Sequence, residues 1–415
     1  MNPSAPLHDV IIVGAGAAGI ATAASLLKRA PNLDVLLIDP ATEHFYQPGW
    51  TLVGAGVFSQ ASTRRETAAL VPAGATLLRG TVTGFDPEHN RILLAEQAPR
   101  GYRQLVVCPG LKLDWAAIDG LEATLGRHGV TSNYRYDLAP YTWELTRALQ
   151  HGRALFTQPG MPIKCAGAPQ KALYLACDHW RRHDRLGAVQ AEFLNANPSL
   201  FGVAAYVPAL QRYIERYQVD LRLRHRLVAV DGPAQEATFE VSDAQGNVRH
   251  EARPFDMLHV VPPQCAPDAL RGSALADAAG WLDVDPHSLR HRRFANIHGL
   301  GDAINAGNAK TVAAARKQAP VVAHNVAVAL GRAQGQARYD GYGACPLTVE
   351  RGRIVLAEFA YGGQLAPSFP QWLLKGTEPT RLAWWLKAHG LPWLYWNGML
   401  RGHEWLARPV LADSP

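Results

Sequence analysis

Asp9-Val10-Ile11-Ile12-Val13-Gly14-Ala15-Gly16-Ala17-Ala18-Gly19 decides how this chain folds. Val10 to Val13 is a short apolar run of the kind that makes a fully buried strand. Three glycines at GxGxxG spacing follow at once, and then a helical pattern over residues 20–29. Gly14 permits a tight turn, Gly16 lets backbone approach a pyrophosphate, and Gly19 lets helix and strand pack closely. Val35-Leu36-Leu37-Ile38-Asp39 is a second apolar strand that ends on an acid. Asp39 stands where a dinucleotide fold places the carboxylate that binds an adenosine ribose. A lone GxGxxG is a weak signal; with both strands and the acid in place it predicts a dinucleotide-binding α/β unit.

Two further stretches choose the dinucleotide. His298-Gly299-Leu300-Gly301-Asp302-Ala303 precedes a helix-like run over 310–328. It resembles the second flavin fingerprint of two-dinucleotide-domain flavoproteins, in which the Asp binds the ribityl or phosphate part of FAD. The helix start there faces the flavin and favours its anionic reduced form. Leu105-Val106-Val107-Cys108-Pro109-Gly110 resembles the crossover turn between the two nucleotide domains of such proteins. The expected cofactor is FAD, held by Gly14, Gly16, Gly19, Asp39, Gly110, Gly301, Asp302 and Lys310. The expected fold is α/β with two Rossmann-like domains and a C-terminal membrane-associating segment. The FAD domain is discontinuous, 8–115 and 290–340. The second domain covers 140–285, and residues 341–415 form a C-terminal region.

Where the second domain would carry its own glycine-rich turn, the chain has Pro162-Ile163-Lys164-Cys165-Ala166-Gly167-Ala168-Pro169-Gln170-Lys171. Proline lacks the N–H that a phosphate cradle uses. The loop reads as one that presents a thiol, with Lys164 and a helix start at about 172 favouring the thiolate. Weak or absent NAD(P)H binding follows. Cys345, in Gly341-Tyr342-Gly343-Ala344-Cys345-Pro346-Leu347, is a second proline-flanked thiol. Cys108, Cys177 and Cys265 read as packing residues. Twelve residues, mostly helical, separate Cys165 from Cys177, too far for a disulfide. No Cys/His cluster has zinc spacing, so no metal is expected.

Composition bounds the rest. The 415 residues carry a net charge of +6, with 48% hydrophobic and 18% charged. That suits a globular chain of two or three domains. The basic residues are scattered, which argues against a nucleic-acid partner. Five cysteines make no disulfide scaffold. No secretory signal and no apolar run of spanning length is evident. The region 372–408 holds Trp372, Trp384, Trp385, Trp393, Trp396 and Trp405, six of the chain's eleven tryptophans, among Lys375, Arg381, Lys387, Arg401 and Arg408. Aromatic plus basic is the pattern of a segment lying on a membrane surface; a core-capping tail or a dimer contact is the other reading.

Taken together, the Cys165 loop, Ala278 to Asp285, Tyr339 to Tyr342 with Cys345-Pro346-Leu347, Ile354 to Phe359 and Leu394-Tyr395-Trp396-Asn397 resemble sulfide:quinone oxidoreductase in its two-cysteine, mitochondrial-like branch. The resemblance spans about residues 8–408. It departs at Asp39, where many relatives have Glu, and at Ala303, where the mitochondrial relatives have Cys. It implies sulfide oxidation at a sulfur-bridged Cys165/Cys345 pair, a trisulfide that hydrosulfide opens by thiol–disulfide exchange. A persulfide is left on one cysteine and a thiolate, lying against the flavin, on the other. A small thiol or sulfur acceptor removes the sulfane sulfur, and electrons pass through FAD to ubiquinone or menaquinone. It also implies a quinone site drawing on Phe359, Lys387 and Asn397, a monotopic association with the inner membrane at its cytoplasmic face, and room for a homo-oligomer. The rivals are a type II NADH:quinone oxidoreductase, a flavocytochrome-type sulfide dehydrogenase, and a flavin-stabilised interaction protein without turnover.

Overall fold

The computed structural model describes residues 6–307 and 309–412; the polar residues 1–5 lie outside them. The strand Leu7–Val13 sits in the middle of the first sheet, parallel to Val35–Asp39 on one side and to Gln97–Val107 on the other. Ala75–Arg79 extends the sheet beyond Val35–Asp39. Ile297–Gly299 returns from far along the chain to pair in parallel with Gln97–Val107. The apolar runs are buried, and Ala17–Arg29 and Val312–Ala329 pack on this sheet and on each other.

A second parallel sheet takes the order 130–131, 257–259, 152–158, 189–195, 220–223. The helix Ala168–Arg182 covers it, and an antiparallel meander of His225–Asp231, Glu236–Ser242 and Val248–Pro254 is attached. The hairpin Gly343–Glu350 and Arg353–Phe359 then lies against Ala168–Arg182. Short α, π and 3-10 turns over 381–401 complete the chain's main body.

Helix starts differ from the sequence expectation, and the residues at each start show why. Ala168–Arg182 begins four residues earlier than 172 because Pro169 falls in its first turn, where a missing N–H costs nothing. Ala17–Arg29 begins inside the glycine motif with Gly16 at its N-cap. The helix Val312–Ala329 starts after Thr311, whose hydroxyl accepts from Ala314 N.

The tryptophan-rich tail is two things at once. Tyr395, Trp396, Met399 and Leu400 belong to the main core. Arg29 and Glu404 form a two-pronged ion pair, and Lys28 donates to the Gly402 carbonyl. A Cβ on Gly402 would meet the backbone of Ala24 at 2.8 Å, so the tail lies directly on the first helix. Trp372, Trp385, Trp393 and Trp405, by contrast, are exposed. Among the described residues no helix is long and apolar enough to cross a membrane.

Candidate functional site

Two adjoining cavities occupy the junction of these parts. The larger, about 500 Å³, is floored by Gly14, Ala15, Gly16 and Ala17 and walled by Asp39, Gly110, Gly301 and Asp302. The other, about 250 Å³, holds Cys165, Lys171, Lys310, Lys387 and Glu358 among mostly apolar walls. Gln47, Trp50, Tyr134, Lys164, Asp302, Thr311, Val312 and Tyr395 line both, so the two are neighbours across one wall.

The glycines of the larger cavity divide their work. Gly14 has φ +103°, and a Cβ there would meet the Cys108 carbonyl oxygen at 2.5 Å. Gly19 stands beneath the floor, its absent Cβ leaving room for the Gly14 carbonyl at 1.8 Å. Gly16 faces open space. The first helix has no side-chain cap, so its leading N–H groups are offered to an anion. Asp39 accepts from Ala15 N at 2.6 Å and Ala41 N at 2.8 Å, which holds its carboxylate at the rim. Burial holds the Asp302 carboxyl above its usual value. His44 bridges the floor to the tail: the Ala15 carbonyl accepts from Nδ1, so Nε2 accepts from the Tyr395 hydroxyl at 2.6 Å.

Lys310 does something other than face a ligand directly. Its ammonium donates to the carbonyls of Asp302 and Ile304 at 2.7 and 2.9 Å and lies 3.8 Å from the centre of the Trp281 ring. It braces the Gly301 turn, while its own carbonyl accepts from Cys165 N at 2.8 Å.

The thiols meet. Cys165 Sγ lies 3.7 Å from Cys345 Sγ, across 180 residues of sequence. Cys165 sits at the tip of its loop with φ +49°, and the Tyr134 hydroxyl donates to the carbonyls of Lys164 and Cys165. Gly167 makes the approach possible: a Cβ there would fall 2.7 Å from Cys345 Sγ and 2.2 Å from Leu347 Cδ2. The Cys345 thiol donates to Cys165, and the ammonium of Lys171 lies 3.2 Å from the same sulfur. Together with the charge of Lys387 these hold Cys165 well below the ordinary thiol range against the cost of burial. Cys345, donating to that anion and buried, is held well above it.

The lysine at the sulfur is therefore Lys171, not Lys164 as expected from adjacency. Lys164 reaches to Gln47 Oε1 and lies over the rings of Trp50 and Tyr134. Lys171, in the quoted loop but given no role there, is fully inside and one helical turn past Ala168. Replacing Lys171 by Met is expected to slow iodoacetamide capture of Cys165 in the reduced protein roughly tenfold or more at neutral pH. The sign follows from the lowered thiol value. The native rate stays flat through neutral pH and falls only in acid, whereas the variant's rate climbs as pH rises; a variant rate still flat at neutral pH would remove Lys171 from this role.

The proposed quinone residues separate. Lys387 lines the smaller cavity, donates to the Pro48 carbonyl at 2.8 Å, and is pushed by burial down to about 7. Phe359 does not line it. Side chains alternate along Arg353–Phe359, so Leu356 and Glu358 face the cavity while Phe359 packs on the other side against Phe201. Asn397 is exposed and donates to the Trp393 carbonyl of its own turn. Cys108 and Cys177 are buried, and burial pushes both thiols up. Among the described residues no cluster of three metal-ligating side chains occurs.

Residues 8–319 match the family described as pyridine nucleotide-disulphide oxidoreductase. The mitochondrial sulfide:quinone oxidoreductase of Dictyostelium discoideum is 37% identical over 97% of this chain and 88% of its own length. That of Mus musculus is 36% identical over 95% of this chain and 87% of its own. This chain belongs to the sulfide:quinone oxidoreductase family. The solved sulfide:quinone oxidoreductase of Aquifex aeolicus shares the fold, with a TM-score of 0.80 at 17% identity over 99% of this chain and 98% of the other. The protein is an oxidoreductase, and FAD is the cofactor this family membership implies. The larger cavity fits it: uncapped helix N–H groups stand over an open Gly16, with the Asp39 carboxylate at the rim.

Proposed function

We propose that this sulfide:quinone oxidoreductase family member oxidises sulfide to sulfane sulfur at Cys165 and Cys345 and passes the electrons to a quinone. The supporting observation is the thiol pair, held 3.7 Å apart, with Cys165 and the buried Lys171 lining the smaller cavity next to the cofactor cavity. Two S–S bonds of about 2.05 Å, bent near the tetrahedral angle, span about 3.3 Å. The separation thus suits a single bridging sulfur better than a direct bond. Hydrosulfide attacking one cysteine sulfur breaks its S–S bond, leaving a persulfide there and a persulfide anion on the other cysteine. Lys171 stabilises the anion. A small nucleophile takes the outer sulfur from the first, freeing a thiolate. Thiolate and persulfide anion then reclose the bridge and release two electrons. Bound FAD, held by Gly14, Gly16, Asp39, Gly110, Gly301 and Asp302 with Gly19 and Lys310 shaping its cradle, supplies the two-electron sink.

The quinone, ubiquinone or menaquinone, fits the smaller cavity, whose walls include Leu356, Leu386, Leu391 and Leu394 with Lys387 at depth. The exposed Trp385 and Trp393 flank these leucines in sequence and form a surface suited to a membrane interface, through which a lipophilic quinone enters. Sulfide, and not NADH, is expected to bleach the flavin, and Leu391→Trp is expected to block reoxidation by quinone while leaving bleaching intact. Bleaching by NADH alone would replace this reading with an NADH:quinone oxidoreductase.

A further inference from the structure

At one end of the smaller cavity three polar side chains make a line from solvent to the cavity wall. Ser368 is exposed. Its Oγ lies 3.1 Å from the Tyr342 hydroxyl, and that hydroxyl donates to Glu358 Oε1 at 2.5 Å. The second carboxylate oxygen of Glu358 accepts from Ser368 N at 3.2 Å. Tyr342 and Glu358 are buried, and all three residues line the cavity. The Tyr206 hydroxyl accepts from Glu358 N at 2.9 Å and donates to the Glu358 carbonyl at 2.8 Å, which fixes the strand at this point. The ammonium of Lys317 lies 5.3 Å from the Tyr342 ring centre on the side of the Val312–Ala329 helix. Glu358 is a buried carboxylate in a cavity of mostly apolar walls, and its oxygens are satisfied by hydrogen bonds from the Tyr342 hydroxyl and Ser368 N, with no ion pair among the described residues.

We propose that Ser368, Tyr342 and Glu358 form the proton path to the quinone. It rests on the placing of the quinone in this cavity. A quinone becomes a quinol by gaining two electrons and two protons. The electrons are those released by sulfide oxidation, and one proton travels with them as a hydride equivalent. The other enters from water at Ser368, passes to Tyr342, and moves from Tyr342 along its existing hydrogen bond to Glu358. The neutral carboxyl of Glu358 gives it to the quinone oxygen, forming the second O–H bond. The carboxylate is then reloaded from water by the same route. Proton delivery by a placed acid is worth roughly 100-fold or more in rate.

The test separates proton-coupled from pure electron acceptors on the FAD-loaded protein. Flavin is first reduced with sulfide in a stopped-flow cell, then reoxidised either with decylubiquinone or with ferricyanide, which takes electrons without protons. Tyr342→Phe and Glu358→Gln are expected to slow the quinone arm by roughly 10- to 100-fold. Sulfide reduction and the ferricyanide arm should stay within about two-fold of native. Quinone binding, read as quenching of tryptophan fluorescence, should weaken by far less than the quinone rate falls. In the native protein the quinone arm, and not the ferricyanide arm, should run slower in D2O, which needs no variant to fold. A native quinone rate in both variants overturns the proton path, as does equal slowing of both arms or the lack of a D2O effect confined to quinone. Leu391→Trp tells the two failures apart. If it blocks quinone while the Tyr342 and Glu358 variants do not, the path alone falls; if it leaves quinone reduction intact, the placement falls and the path with it.

Discussion

Cys165→Ser and Cys345→Ser are each expected to lower sulfide-dependent quinone reduction by roughly 1,000-fold or more, with FAD still bound. The loss is large because the two sulfurs act as one unit. Either serine leaves the other thiol with nothing at 3.7 Å to share a bridging sulfur. FAD retention follows from the layout: neither sulfur belongs to the larger cavity, where the glycine floor and Asp39 lie. The flavin spectrum of the purified variant reads the second point, and a sulfide-plus-quinone assay the first. Cys177→Ser and Cys265→Ser should stay within a few-fold. Full turnover in either of the first pair would end the two-cysteine mechanism.

The second large effect lies on the surface. Trp385→Ser with Trp393→Ser is expected to weaken liposome binding about 100-fold, at about 1.5 kcal/mol of apolar burial for each ring. These positions are chosen because their side chains are 59% and 57% exposed, so little folded-state packing is lost. Deleting the tail from about 372 would be a poor substitute, since Tyr395, Trp396, Met399 and Leu400 would leave the core with it. Sulfide should still bleach the double variant, and a soluble short-chain quinone should still be reduced. A long-chain quinone in vesicles should be reduced poorly. Native binding should also weaken as salt rises, since Lys375, Arg381 and Arg401 contribute screened charge. Unchanged pelleting with anionic liposomes would reassign the exposed rings.

What could be read from sequence tracks how local the information is. The glycine motif, the strand before it and Asp39 are contiguous or one helix apart, and their steric needs are written in residue types: Gly14 alone tolerates its φ, and Gly19 alone its neighbour. Cys165 and Cys345 could be paired only through family resemblance, since nothing in either loop encodes a partner 180 residues away. Lys171 was in plain view in the quoted loop, yet its role depends on where the helix begins, and Pro169 disguised that start as a turn. Lys164 was misplaced because the positive φ of Cys165 turns the chain so that adjacent side chains diverge. Phe359 stands one step out of register with the cavity in a two-residue period, which the continuous apolar run Ile354 to Ala357 does not fix. Asn397 fell on the outer side of a π-turn, whose periodicity is not that of an α-helix.

The clasp between the tail and the first helix bears on the order in which the protein can be made. Gly14 to Ala17 are translated early, yet the cavity they floor lacks a wall until Tyr395 is in place and hydrogen-bonded to His44. The Arg29–Glu404 pair then bolts that wall down over the same helix. The cavity is therefore complete only once the last part of the chain has packed on the first helix.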